Sequence, residues 1–243
     1  MRTLDLTIVS AALSSVLLPR CILCGNKVIS SPFGEKYQVC SNCLSDLVPS
    51  DREKRWLMCL SEPYKGDPIP KLVLYSPFPY SEQISHGIRK LKFHNRKEIG
   101  SFFGKLMGTI MKADNVKCDA VIPVPLAEER FRERGYNQAL IIAENCAEVL
   151  GVPVLDGVLL RTRYTKRQTE LKSNDERFGN VVGAFEMNGD WDISGLNVIL
   201  LDDIATTGST LHEAADVLYR AGVKSVLCAA FASNRIVKNS ESY

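Results

Sequence analysis

The stretch Val198-Ile199-Leu200-Leu201-Asp202-Asp203-Ile204-Ala205-Thr206-Thr207-Gly208-Ser209-Thr210 decides how the rest of the chain is read. Four consecutive apolar residues predict a central parallel strand, buried on both faces between helix layers. Two carboxylates follow, then a turn of small polar residues. Leu211, Ala214, Ala215, Val217 and Leu218 then recur at helical spacing. In an open parallel sheet this order puts the acids and the turn outside the carboxyl end of the strand, where ligands of such sheets bind. Gly208 permits close backbone approach, and the amides and hydroxyls of residues 206–210 can converge on a phosphate at a helix start. Adjacent carboxylates would repel a phosphate placed beside them but suit two neighbouring hydroxyls. A sugar 5-phosphate satisfies both halves of the stretch.

These thirteen residues resemble the phosphoribosyl pyrophosphate (PRPP) motif of type I phosphoribosyltransferases. The resemblance implies that Asp202 and Asp203 hold the ribose hydroxyls. It also implies that Ala205, Thr206, Thr207, Gly208, Ser209 and Thr210 hold the 5-phosphate, in an open, mainly parallel sheet flanked by helices. The competing reading is a buried strand, a turn with solvated acids, and a helix capped by Ser209 or Thr210. A nucleoside triphosphatase strand could also end in acids, but the chain has no G-x-x-x-x-G-K-[ST] loop, and residues 100–105 have the wrong spacing.

The 243 residues suffice for one α/β domain with a small appendage, and 45% apolar with 24% charged residues argues against long disorder. A net charge of +2 confines any polyanion binding to local basic patches. Residues 4–18 read as an amphipathic helix ending before Pro19, too short and too interrupted by Asp5 to span a bilayer. The cysteine usage points to a reducing cytoplasm.

Cys21-x-x-Cys24 and Cys40-x-x-Cys43 are separated by fifteen residues, the spacing of two zinc knuckles around one tetrahedral ion. The segment between them looks too poor in bulk to form a core, so metal is expected to supply its folding energy. Two disulfides would require an exported protein. Cys59 reads as a partly buried free thiol, in a hinge over residues 50–70 that is rich in charge, Pro and Gly. The expected organisation is a helix and knuckle module over residues 1–65 and an α/β domain over 66–243. Cys118, Cys146 and Cys228 are expected in the core.

Residues 71–75 read as a strand, 81–93 as a helix with Ile84, Ile88 and Leu91 inward, and the segment from Ile99 to Ile110 as a second helix. Five cations without an acid in residues 89–97 form either a polyanion site or a solvated helix face. His86, His94 and His212 lack the spacing of a metal or triad site and are read as structural. After a strand at 119–124, Arg130, Arg132 and Arg134 alternate with acids. Arg130 and Arg134 are candidate diphosphate ligands, and a salt-bridged surface helix is the other reading. Residues 152–160 read as a strand pair, 161–177 as a mobile loop placed to act as a lid, and 223–231 as the last core strand.

Taken together, the knuckles, Pro123-Val124-Pro125-Leu126, Arg134-Gly135-Tyr136-Asn137-Gln138-Ala139, Arg161 with Gln168 and Leu171, the run from Arg177 through Phe185, and the PRPP motif resemble the ComF/GntX family. That family resemblance, from about Leu13 to Phe231, implies a role in natural competence and DNA uptake. It implies PRPP bound with Mg2+, and transfer of phosphoribose to an unidentified nucleophile with release of diphosphate. The alternative is a non-catalytic component that holds single-stranded DNA on the zinc module and basic patches, with Phe33, Tyr37 and Phe93 stacking on bases and competence-machinery proteins as partners. No residue presents itself as a base for an incoming nucleophile. Glutamine PRPP amidotransferase activity is not expected, since Met1 is not followed by a nucleophilic cysteine.

Overall fold

Strand alternation in the 198–201 run divides the interior in two. In the computed structural model, which describes residues 18–29, 31–33, 36–58, 72–162 and 183–234, Ile199 and Leu201 enter one hydrophobic core while Val198 and Leu200 enter the other. Chain order begins with α1 (Ser41–Ser45), a 3-10 turn (Arg52–Arg55), β1 (Trp56–Met58), β2 (Val73–Tyr75) and β3 (Phe78–Pro79). Next come α2 (Glu82–Phe93), α3 (Lys97–Ala113), β4 (Ala120–Pro123), α4 (Glu128–Arg134), α5 (Gln138–Leu150) and β5 (Leu159–Arg161). The order closes with β6 (Phe185–Met187), β7 (Asn197–Ala205), α6 (Ser209–Arg220) and β8 (Ser225–Ser233).

The main sheet runs β1-β2-β8-β7-β4, with β3 also paired to β8. Every pairing in it is parallel except β1 with β2. β7 lies between β8 and β4, with Leu201 opposite both Ala229 and Pro123. Helices α2, α3 and α5 cover one face through Ile84, Phe103 and Ile142, while α6 covers the other through Leu211, Ala215 and Leu218. This is the expected open, mainly parallel sheet flanked by helices.

Three expectations change in detail. Part of the stretch read as a hinge joins the sheet, because Trp56 packs edge-on against Tyr75 at 4.9 Å and residues 56–58 pair with 73–75. Behind that strand, the buried Asp114 carboxylate accepts from Arg55 at 2.8 and 2.9 Å and from the Tyr75 hydroxyl at 2.7 Å. Residues 152–160 are not a strand pair with each other: Val154 bridges to Val121, and β5 pairs with β6 in a separate antiparallel ribbon. The segment between the knuckles does contribute to a core: Val28, Tyr37 and Val39 are buried with Phe102 and Phe103 of α3. The missing bulk comes from a helix remote in sequence. The amino-terminal helix, Cys59, the 163–182 part of the expected lid with its Gln168, Leu171 and Arg177, and the tail beyond 234 lie outside the described residues.

Helices α3 and α5 approach closely along Gly100, Gly104 and Gly108. A methyl group on Gly108 would lie 2.8 Å from the Cys146 carbonyl oxygen, and one on Gly104 would overlap that of Ile142. Backbone cannot yield as a side-chain tip does, so Gly104→Ala is expected to destabilise the protein by about 1–3 kcal/mol despite its better helix propensity. Urea denaturation tests this; an unchanged or raised midpoint would show that the helices separate freely.

Candidate ligand site and metal centre

The two-residue phase of β7 slips at its end: after Leu201 in the first core, Ile204 packs against that core again and Ala205 enters the second. Asp202 and Asp203 occupy the slip. Each accepts the next backbone amide, Asp203 N donating to Asp202 Oδ1 at 2.8 Å and Ile204 N to Asp203 Oδ1 at 3.0 Å. Asp203 is buried and Asp202 is partly buried, so neither is a fully solvated acid. Gly208, with φ +83°, turns the chain into α6, where the His212 amide donates to the Gly208 carbonyl at 2.8 Å. The Thr207 and Ser209 hydroxyls are 2.8 Å apart, so the turn gathers hydroxyls at the start of a twelve-residue helix. The N-cap of α6 is Gly208, not the Ser209 or Thr210 of the competing reading, and the Ser209 amide donates to the Thr207 hydroxyl at 3.4 Å.

Cations converge on this strand end from three other elements. Lys92 Nζ of α2 pairs with Asp203 Oδ2 at 2.5 Å. Arg161 of β5 acts electrostatically on Asp202 and on Arg130 of α4, and its guanidinium lies over the Phe185 ring at 5.2 Å. Burial, then the Arg130 charge, brings Arg161 down to about 10, with Asp202 acting in the opposite sense. Burial first and the Asp203 charge second push Asp202 up to about 7, opposed by Lys92. Arg134 donates to Gln138 Oε1 at 2.9 Å and covers the Phe93 ring at 5.1 Å. The exposed Arg132 is ion-paired to Glu128, as in a salt-bridged surface helix.

The sequence pointed to the acids and to Arg130, but it missed the part played by Lys92, which was one cation among five. Arg161 had been singled out only by resemblance. Two motif residues turn out to brace the site. The Tyr136 hydroxyl donates to the Leu91 carbonyl, one residue before Lys92. The Asn137 amide donates to the Val124 carbonyl at 3.0 Å while its oxygen accepts from Ala139 N.

The four knuckle sulfurs lie within 4.8 Å of one another, with Cys24 and Cys40 Sγ 3.5 Å apart. Four sulfurs about 2.3 Å from a tetrahedral ion would be spaced at about 3.8 Å, so the donor set fits a metal. The Cys43 hydrogen bond pulls Cys21 down to about 4, while Cys43 itself is driven up by the same contact. Of the aromatics expected to stack on bases, Phe33 lies edge-on to Phe102 at 4.9 Å and Tyr37 is buried. Both belong to the module's packing, and Phe93 alone of the three is exposed, at 53%.

The phosphoribosyl transferase domain family matches residues 137–242. Competence protein F of Haemophilus influenzae is 32% identical over 153 residues, covering 60% of this chain and 66% of that protein. DNA utilization protein YhgH of Salmonella typhi is 31% identical over 173 residues, covering 69% and 73%. Competence protein ComFC of Bacillus subtilis is 31% identical over 148 residues, covering 60% and 58%. The chain belongs to the ComF family. It spans slightly under two thirds of the Haemophilus protein and a smaller share of the Bacillus one. In this ComF-family chain the matched domain begins at Asn137, so Lys92, which pairs with Asp203, and Arg130, which acts on Arg161, come from outside it. No helix among the described residues is long and apolar enough to cross a membrane.

Proposed function

We propose that this protein binds PRPP at the carboxyl end of β7 and serves in DNA uptake. One observation carries the reading: two shielded carboxylates and a hydroxyl-lined helix start stand side by side, with cations from α2, α4 and β5 brought to the same strand end. Asp202 and Asp203 accept hydrogen bonds from the ribose hydroxyls. Residues 205–210 hold the 5-phosphate, and Arg130 with Arg134 faces the diphosphate, for which guanidinium forks are suited. Bound Mg2+ would offset the charge of the departing diphosphate. In phosphoribosyl transfer the bond from ribose C1 to the diphosphate oxygen breaks and a bond from C1 to the nucleophile forms. The protein's share is to fix the ribose, neutralise the leaving group and exclude water.

The cysteine cluster holds a structural Zn2+, and the protein works in the cytoplasm. Single-stranded DNA and competence-machinery proteins are its partners, in keeping with the roles that the names of its relatives describe. Calorimetric titration of the full chain with PRPP and Mg2+ tests the central reading. Saturable one-to-one binding is expected, and no heat at millimolar ligand would remove it.

A further inference from the structure

We infer that Lys92 is a positioning residue of the pentose site: its ammonium pairs with Asp203 and holds that side chain in place, so that two adjacent carboxylates can serve one polyol. This deepens the PRPP reading and rests on it. A buried carboxylate beside a second carboxylate tends to take up a proton, and a protonated acid donates where a hydroxyl needs an acceptor. Lys92 counters this from only 2.5 Å away, and its field also reaches Asp202. Among the described residues, the cations acting on the pair are Lys92 from α2, Arg161 from β5 and, beyond Arg161, Arg130 from α4. Of these, Lys92 makes the direct contact with Asp203.

The placement of Lys92 is built into the fold. Ser81 caps α2 by accepting from Ile84 N at 3.2 Å, and Ile84, Ile88 and Leu91 bury one face of that helix. Tyr136 holds the Leu91 carbonyl, fixing the turn from which Lys92 extends. On the other side, Leu23 of the knuckle packs so closely that a methyl group on Gly87 would lie 2.8 Å from its Cδ2. An ordinary solvated lysine would need none of this bracing.

The test is PRPP and Mg2+ titration of the wild type, Lys92→Met and Lys92→Arg from pH 6 to 8.5. Lys92→Met is expected to weaken binding by about tenfold or more at pH 7, the scale of a shielded ion pair that loses one partner. Lys92 lowers the proton affinity of Asp202, so without the ammonium Asp202 ionises at higher pH and the deficit should shrink as pH rises. Lys92→Arg should restore most of the affinity at neutral pH. A deficit equal at every pH, or one that Lys92→Arg leaves unrepaired, would assign Lys92 to folding alone and overturn the inference. Unchanged affinity in Lys92→Met would overturn it too, leaving the PRPP reading intact. A wild type that does not bind removes the parent reading instead.

Discussion

Replacing both Asp202 and Asp203 by Asn is expected to abolish the thermal stabilisation conferred by PRPP and Mg2+ while leaving the protein folded. Ligand at about 100 times its Kd adds about 2.7 kcal/mol to the folded state. For a chain of this size, that raises Tm by roughly 5–10 °C. The amides keep the shape of the side chains but lose the charge and half of the acceptor capacity, so the charge-assisted hydrogen bonds from the two hydroxyls are lost. The unliganded protein should respond in the opposite direction. Asp202 titrates near 7 when folded, chiefly because of burial, whereas an unfolded aspartate titrates near ~3.9. A raised carboxylate pKa favours the folded state fully at low pH, and that contribution is lost as pH climbs from about 4 towards 7. Asp202→Asn removes this loss, so the single variant should be as stable as the wild type or more so at pH 8, yet unresponsive to PRPP. Differential scanning fluorimetry at pH 5 and pH 8, with and without ligand, reads both effects. A double variant that PRPP still stabilises would move the ligand away from β7.

Removing a metal held by the proposed knuckle site should unfold more than the knuckles. Structural zinc contributes on the order of 10 kcal/mol in isolated fingers, comparable to the whole stability of a domain. Read from sequence, the amino-terminal module would melt alone and spare the rest. The structure changes that expectation, because Leu23, Val28, Tyr37 and Val39 share one core with Ile84, Phe102, Phe103 and Phe231. Loss of the module therefore uncovers the outer faces of α2 and α3, and with α2 goes the support of Lys92. The chain has two tryptophans. Trp56 and Trp191 both lie outside the cysteine segment, so their fluorescence follows the larger part of the molecule. Chelator, or Cys21→Ser with Cys43→Ser, should lower the tryptophan-detected transition by about 10 °C or more. Chelation should also weaken PRPP binding at temperatures where the chain is still folded. A tryptophan transition indifferent to chelator would mean that the shared core is energetically trivial.

The residues differed in how much they disclosed. Strand β7, the acids and the turn were legible because their chemistry is contiguous: an apolar run, two carboxylates and a glycine-hydroxyl turn keep their meaning in any fold that places a ligand at a strand end. The knuckles were legible for the same reason, since C-x-x-C spacing is set by one ion and a local turn. The knuckle core was not, because its bulk arrives from Phe102 and Phe103 of a later helix. Arg55 likewise looked like one charge in a hinge, and only the fold shows that it satisfies Asp114, 59 residues away.

Sequence by itself determined the sheet's central strand, the acid pair, the hydroxyl-lined turn and the four-cysteine cluster, all of which are local patterns. Tertiary structure alone decided which of five cations in residues 89–97 meets Asp203, that Arg161 and Arg130 reach the same strand end, and that the knuckle braces α2. The physical reason is that charge acts through space: Lys92 and Asp203 are 111 positions apart along the chain and 2.5 Å apart once α2 has packed onto the sheet.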